Sequence, residues 1–444
     1  MDRKTFVRLS AFAAVPMLPA LKGFAMDKNL TNWAGNFTFS TNNVFYPETV
    51  SDVQSAVRKC DKMRSLGTRH CFNRIADSKY NLISSSKLNN VVSLNKGSNT
   101  VTVEGGIKYG ELAPYLDKNG YALANLASLP HISVAGSIST ATHGSGVHNG
   151  NLSSAVRGLE IVIADGSVIH FMKERDGENF NAAVVGLGAL GYITKVELAI
   201  EPTYQVRQNV FTDLPLSQLK DHFDDIVSAG YSVSLFTDWQ SAFINEVWIK
   251  DKVDPSINFV PREEFYGANA ATKNLHPIIA IDAINCTPQM GVPGPWYERL
   301  PHFKMGFTPS SGKELQSEYF IPKAHAVEAI MAIQNLGKQI GPHLFITEIR
   351  TIAADELWMS PCRNQDSITI HFTWKQEWEA VNKLLPIIEK ELSPFNARPH
   401  WGKVFTMKRE VLDSRYEKLA DFKRFTSKYD PKGKFQNDFL NSTI

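Results

Sequence analysis

In residues 367–374 polar and apolar side chains alternate strictly, so that a strand would carry Ser367, Thr369, His371 and Thr373 on one face and Ile368, Ile370, Phe372 and Trp374 on the other. A solvent-facing sheet more often carries Lys and Glu, so the hydroxyls and imidazole are expected to face a pocket. There the imidazole could move a proton, because its ordinary pKa lies near neutrality. A second strand pattern, residues 344–351, puts Glu348 and Arg350 on one face behind Leu344 and Ile346. Alone the pair reads as a surface ion pair. The apolar residues leading into it argue for partial enclosure, and enclosed charges of opposite sign beside hydroxyls suit a neutral polyhydroxylated ligand. Residues 398–403, Arg-Pro-His-Trp-Gly-Lys, set a cation beside an aromatic and a glycine, and His70 stands in the tight turn 67–73. By themselves these two, like His131 and His143, are compatible with structural roles.

Residues 125–150 are the stretch around which these groups must assemble. Gly136, Gly144, Gly146 and Gly150 remove side chains, while Ser133, Ser137, Thr140, Thr142 and Ser145 add hydroxyls, the composition of a loop where backbone approaches an anion. Residues 186–191, Gly-Leu-Gly-Ala-Leu-Gly, match a dinucleotide-binding fingerprint in letters only. That fingerprint needs a helix to follow, and residues 192–198 alternate like a strand. The glycines are expected to bring backbone close to the same ligand as the 125–150 loop.

The positioning elements are legible in part. Thr49 or Ser51 can cap a helix over 53–66, and short strands are expected at 82–84, 91–94 and 100–104 before a helix over 108–119. Asp165-Gly166 forms the turn of a hairpin between 158–163 and 168–171. Beyond Pro202 a helix is expected over 214–229, strands at 233–239 and 245–250, a Pro- and Gly-rich loop at 287–309, and a helix over 323–337.

The 444 residues suffice for two or three domains, and a net charge of +2 with 43% hydrophobic and 21% charged residues gives no electrostatic case for nucleic acid. The four cysteines are scattered without a C-x-x-C, so no metal site is signalled. At the N-terminus Arg3, Lys4 and Arg8 precede an apolar run over 9–21 and the small residues near Gly23, the pattern of an export leader. Arg3-Lys4-Thr5-Phe6 is a variant of the twin-arginine signal. Export to the periplasm is therefore expected, with a cytoplasmic protein as the alternative and no stable membrane span in the mature chain.

These residues carry a family resemblance. Ala127-Ser128-Leu129-Pro130-His131-Ile132-Ser133-Val134-Ala135-Gly136, Ser234-Leu235-Phe236-Thr237-Asp238-Trp239, Gly291-Val292-Pro293-Gly294-Pro295-Trp296, Glu348-Ile349-Arg350-Thr351 and His400-Trp401-Gly402-Lys403 resemble the motifs of the alditol oxidases, xylitol oxidase among them. These stand within the vanillyl-alcohol-oxidase-type flavoproteins that also hold the sugar-lactone oxidases. The resemblance runs from Asn32 to Phe435.

The resemblance implies an α+β, two-domain FAD-linked oxidase fold: a PCMH-type FAD-binding domain over 37–203, a substrate domain of mixed sheet and helices over 204–395, and a segment 396–444 returning to the flavin, after a leader over 1–25. It implies FAD joined covalently through its 8α carbon to His70. The implied FAD contacts are Ser65, Leu66, Gly67, Thr68, Arg69, His70, Cys71, Ser128, Ser133, Gly136, Thr140, Ala141, Thr142, His143, Ile193 and Lys403. Those to a polyol are Ser128, Glu348, Arg350, His371, Thr373 and Lys403. Arg69 replaces a glycine common in relatives and Cys71 a serine, so the phosphate contacts of this turn differ, and one covalent bond is expected.

The activity so implied is oxidation of the terminal primary alcohol of alditols of the xylitol and sorbitol class, with O2 reduced to H2O2. The alternative is an aldonolactone oxidase or dehydrogenase. Arg350 and Glu348 would fix the hydroxyls, His371 would take or relay the proton, and Lys403 would stabilise the reduced flavin. Polyol and O2 are then the partners, and the chain is expected to be a monomer.

Overall fold

The computed structural model describes residues 30–305 and 313–444; the expected leader lies outside them. Near the N-terminus three short strands pair in parallel, Val44–Phe45 with Leu82–Ser84 and Leu82–Ser84 with Arg64–Leu66. The helix Val50–Lys59 lies between the first and last of these in sequence and is capped by Thr49, whose hydroxyl accepts from the Asp52 N–H while Asp52 reciprocates. The expected helix over 53–66 therefore ends early. At Arg64 the chain becomes strand, because pairing with Leu82–Ser84 and burial of the guanidinium outweigh local helical periodicity.

Arg64 staples this region. Its guanidinium donates to the carbonyls of Gly188 at 2.8 Å, Leu187 at 2.9 Å and Phe435 at 2.6 Å, and to that of Ile75. One buried cation thus ties the Gly-rich 186–191 turn and the C-terminal tail to the strand that leads into His70. Beside it a five-stranded antiparallel sheet runs Val91–Asn95, Thr100–Glu104, Tyr192–Ala199, Val156–Val162, Val168–Met172. The strand Tyr192–Ala199 follows the glycine turn directly, as the alternation there predicts.

The rest of the chain builds a ten-stranded sheet whose long members are β1 (Gln205–Pro215), β2 (Ser232–Thr237), β3 (Phe243–Lys252), β4 (Glu314–Pro322), β5 (Leu344–Ile352) and β6 (Ser367–Lys375). They pair antiparallel in the order β1-β3-β2-β5-β6-β4, and Arg398–Pro399 adds to the far side of β4. The expected helix over 214–229 begins only at Gln218, since Leu214 and Pro215 still pair with Ile244 and Phe243.

Register decides what this sheet presents. Glu246 pairs with Phe236, Phe236 with Glu348, Glu348 with His371, and His371 with Glu318. Side chains directly opposite one another in a sheet share a face, so five strands present Glu246, Phe236, Glu348, His371 and Glu318 as one row. The opposite face of β6, Ile368, Ile370, Phe372 and Trp374, is fully buried in one core with Ile330 and Ile333 of the helix Ala326–Gln334 and Val381, Leu385 and Ile388 of the helix Trp378–Leu392. Each such side chain contributes about 1.5–3 kcal/mol on burial. That apolar face fixes β6 in the sheet and obliges His371 to point the other way.

Candidate active site

Phe236, Glu348, His371 and Glu318 of this row line a cleft with about 1730 Å3 of atom-free space, open solvent at its mouth included. One end is walled by residues 64–72, by the 127–143 loop and by Leu187, Gly188, Gly191 and Ile193; the other by Glu318, Glu348, Arg350, His371, His400 and Lys403.

The His70 end is shaped for backbone contact. The N–H groups of Thr68, Arg69, His70 and Cys71 find no acceptor among the described residues, and successive free amides in a turn make an anion-binding concavity. Arg69 holds φ +62°, the left-handed region that favours glycine, which is the conformational reason a glycine suits this position. A Cβ on Gly67 would lie 2.8 Å from the Ser133 hydroxyl, which is itself buried without a partner among the described residues. The 125–150 stretch is not wholly irregular: Val134–Ile138 forms a short helix within it. His70 is packed by Trp33, with ring centroids 4.5 Å apart, and by Phe72 and His131. Burial, then the neighbouring His131, Lys403 and His371, holds it well below the usual histidine range, and its Nδ1 has no partner among the described residues. The Asn73 side chain donates to the carbonyls of Trp401 at 2.8 Å and Lys403 at 2.7 Å, binding the His70 turn to the Lys403 segment.

At the other end an unforeseen residue is the hub. Glu318, 1% exposed, accepts from Arg350 Nη2 at 2.7 Å, faces His143 Nε2 at 3.1 Å, and pairs with Lys403 Nζ at 2.8 Å. Burial alone would raise its pKa, but Lys403, His143 and Arg350 together hold it well below the usual carboxylate range. Glu348 is held low in the same way, chiefly by Arg350 and His302 against the effect of burial. Its Oε1 lies 2.7 Å from His302 Nε2 and its Oε2 lies 3.5 Å from Arg350 Nε and 3.8 Å from His371 Nδ1. The expected Glu348–Arg350 pair therefore exists as the looser of two contacts, and the tight partner of Arg350 is Glu318.

His371 is not the near-neutral imidazole expected. Burial, then Lys403, pushes it down to about 4; Glu348 Oε2, at 3.8 Å from Nδ1, is beyond hydrogen-bond reach, and neither ring nitrogen has a hydrogen-bond partner among the described residues. It is a neutral ring with a free acceptor.

Of the residues named from sequence, Ser65, Leu66, Gly67, Thr68, Arg69, His70, Cys71, Ser128, Ser133, Gly136, Thr140, Thr142, His143, Ile193, Glu348, Arg350, His371 and Lys403 all border this one cleft. Two do not. Thr373 pairs with Gln316 and Ile346, and it is these neighbours that reach the cleft. Ala141 is enclosed in the core at φ +55°, supporting the loop from behind. Glu318 and Gln316 were missed although residues 314–318, Glu-Leu-Gln-Ser-Glu, repeat acid or amide at every second place, the mark of a polar strand face. His302, in a stretch that reads as loop, had no such signal.

Residues 41–172 match the family model described as FAD binding domain, and residues 308–443 match the model described as D-arabinono-1,4-lactone oxidase. An alditol oxidase from a Streptomyces species is 44% identical over 94% of this chain and the whole of its own length. An L-gulono-1,4-lactone dehydrogenase from Mycobacterium tuberculosis is 26% identical over 93% of this chain and 98% of its own. Among solved structures, a cholesterol oxidase from B. sterolicum superposes with TM-score 0.74 at 15% identity, covering 97% of this chain and 99% of that one. The fold is thus the α+β FAD-linked oxidase fold with a PCMH-type FAD-binding half, and the free amides, missing Cβ atoms and unpartnered polar atoms of the His70 end fit FAD. On this identity and coverage the chain is an FAD-dependent oxidoreductase belonging to the alditol oxidase family.

Proposed function

We propose that the protein oxidises the terminal primary alcohol of alditols of the xylitol and sorbitol class to the aldose while O2 is reduced to H2O2. The observation that carries this reading is the pairing of an ionised acceptor, Glu348, with a guanidinium donor, Arg350, in one buried wall beside a neutral imidazole. A hydroxyl both donates and accepts, so neighbouring hydroxyls of a polyol satisfy both partners at once, which an apolar alcohol cannot do.

FAD, when bound, supplies the two-electron acceptor for the alcohol carbon and the means of passing those electrons to O2. The chain's own residues do the rest. Glu348 Oε2 and Arg350 hold the hydroxyls, with the Ser128 hydroxyl 3.5 Å from Arg350 Nη1. His371, neutral above about pH 4, accepts the hydroxyl proton, and the cation so formed lies near Glu348 and, through the sheet register, Glu318. Lys403 and Arg350 balance the carboxylates of Glu318 and Glu348, which keeps the cleft wall from being negative where charge develops.

His70 fits a single covalent link to FAD through its unpartnered Nδ1, a neutral ring nitrogen being a free nucleophile. Cys71 supports no second link, because burial pushes its thiol up to about 11 and keeps it protonated. Acid precipitation is expected to carry the yellow colour down with the wild-type protein and to leave it in solution for His70→Ala. Colour released from wild type would remove the tether.

The function itself is tested by mixing the protein without air with xylitol, sorbitol and aldonolactones, then admitting air and assaying peroxide. Bleaching by the alditols and peroxide on re-aeration are expected. Bleaching by lactones alone would transfer the protein to the second reading, which the D-arabinono-1,4-lactone oxidase match over 308–443 supports.

A further inference from the structure

Beside Glu348 stand two ionisable residues that the proposed chemistry does not use, His302 in the cleft wall and Lys250, which does not border the cleft. Lys250 of β3 is fully buried, and its Nζ donates to the carbonyls of Leu300 and Pro301, the latter at 3.2 Å, and lies 3.1 Å from His302 Nδ1. The other ring nitrogen, Nε2, lies 2.7 Å from Glu348 Oε1. The imidazole is clamped edge-on by Trp248 and Phe236, with centroids 5.1 and 5.6 Å away, so its plane is fixed.

Hydrogen-bond logic orders this chain. Two carbonyl oxygens and an imidazole nitrogen surround Nζ, and an ammonium has three protons, one for each of them. Nδ1 of His302 therefore receives a proton and bears none, which leaves the ring's single proton on Nε2, directed at Glu348. We infer that Lys250 and His302 are positioning residues that hold Glu348 as an ionised acceptor, occupying Oε1 and leaving Oε2 for the hydroxyls of the substrate. This rests on the polyol reading of the site.

The charges around the chain agree. Burial and then Lys250 push His302 down to about 4, and Glu348 opposes that shift without reversing it. Burial pulls the Lys250 ammonium down to about 7, and Glu348 pulls the other way, so the cation is present on the acid side of neutrality, where the effect is read. Facing Glu348 are Arg350 on its own strand, His371 on β6, Glu318 on β4, Lys403 and His302. Beyond His302 lie Glu246, which accepts from Trp248 Nε1 at 2.7 Å, and Cys286, which burial holds as a thiol; His276 packs on Phe303. Among these, Lys250 is the cation that contacts His302. Removing its charge lets the ring take a second proton as pH falls, and the imidazolium so formed engages Glu348 as an ion pair in place of the substrate hydroxyls.

The test uses full-length, FAD-loaded protein and two readouts. With ring-15N histidine, the His302 signals, identified by their loss in His302→Gln, are expected to show a neutral ring protonated on Nε2 from pH 5.5 to 8. In Lys250→Met the ring should titrate within that range. In turnover of whichever substrate bleaches the flavin, Lys250→Met should move the acid limb of kcat/KM up by about one pH unit, roughly a tenfold loss on the acid side that recovers at higher pH. Lys250→Arg, which keeps the cation, should retain the wild-type limb. A loss equal at every pH would make Lys250 only a clamp on residues 300–302 and overturn the inference. So would a wild-type ring protonated on Nδ1 or titrating near the ordinary value of about 6.5, a result that needs no folded Lys250 variant. If wild type oxidises no polyol, the substrate reading fails, while the ring signals still decide whether the chain is ordered as inferred.

Discussion

Glu318→Gln is expected to cost about 3–5 kcal/mol of stability, the usual penalty for stripping one partner from a buried ion pair. The amide keeps the volume and one acceptor oxygen, so the loss isolates the charge. Two buried cations depend on that charge, Arg350 at 2.7 Å and Lys403 at 2.8 Å. Because the native pKa of Glu318 lies well below its unfolded value, its contribution is fully present above the unfolded carboxylate value of about 4.3 and is lost as pH falls through the lower native value. Wild type should therefore lose stability on acidification more steeply than Glu318→Gln. Urea unfolding at pH 7 and at acid pH, followed by tryptophan fluorescence, measures both effects. Equal stability of the two proteins at pH 7 would mean that the cations find other partners and that Glu318 is not the hub.

The difference between what could be read from the chain and what could not is one of range. Strict alternation over 367–374 announces that His371 faces away from a packed apolar side, and Glu348 with Arg350 on the next strand is legible for the same reason: a strand's faces are a local property of period two. Glu318 has that local signal too, yet its importance comes from Lys403, 85 positions away, and from the β4–β6 register, and no local pattern encodes a register. His302 is further from view, since it sits in a Pro- and Gly-rich stretch and acquires meaning only when β3 brings Lys250 beneath it. The helix expected to reach residue 66 ends at Lys59, and the strand that follows is fixed at Arg64, where the carbonyls of Ile75, Leu187, Gly188 and Phe435 all converge on one guanidinium. The Gly-Leu-Gly-Ala-Leu-Gly turn is the converse case, where a tempting motif is decided correctly by the strand that follows it.

Lys403→Met is expected to slow anaerobic reduction of the bound flavin by an alditol by about 10²–10³-fold, the loss typical of removing one preorganised charge-stabilising group. The argument is a count of charges in the wall of the cleft. In the wild-type protein Glu318 is neutralised jointly by Lys403 and Arg350. Without Lys403 the wall becomes one unit more negative where the oxidation delivers electrons, and Arg350 is drawn toward Glu318 and away from the hydroxyls it should hold. Burial already pulls the Lys403 amine below its usual range, with Glu318 opposing, so the cation persists through that pairing and Glu318→Gln should reproduce part of the same slowing. Methionine preserves the length of the side chain, and the FAD content of the variant should equal that of wild type because the His70 turn is held to this segment by Asn73 bonds to backbone carbonyls that the substitution leaves alone. Rapid mixing at saturating xylitol separates the outcomes. Slow reduction with full FAD content supports the electrostatic role, and Lys403→Arg should recover part of the rate. Reduction at the wild-type rate would show that the charge of Lys403 is not used in the oxidation, leaving it as a partner of Glu318 alone.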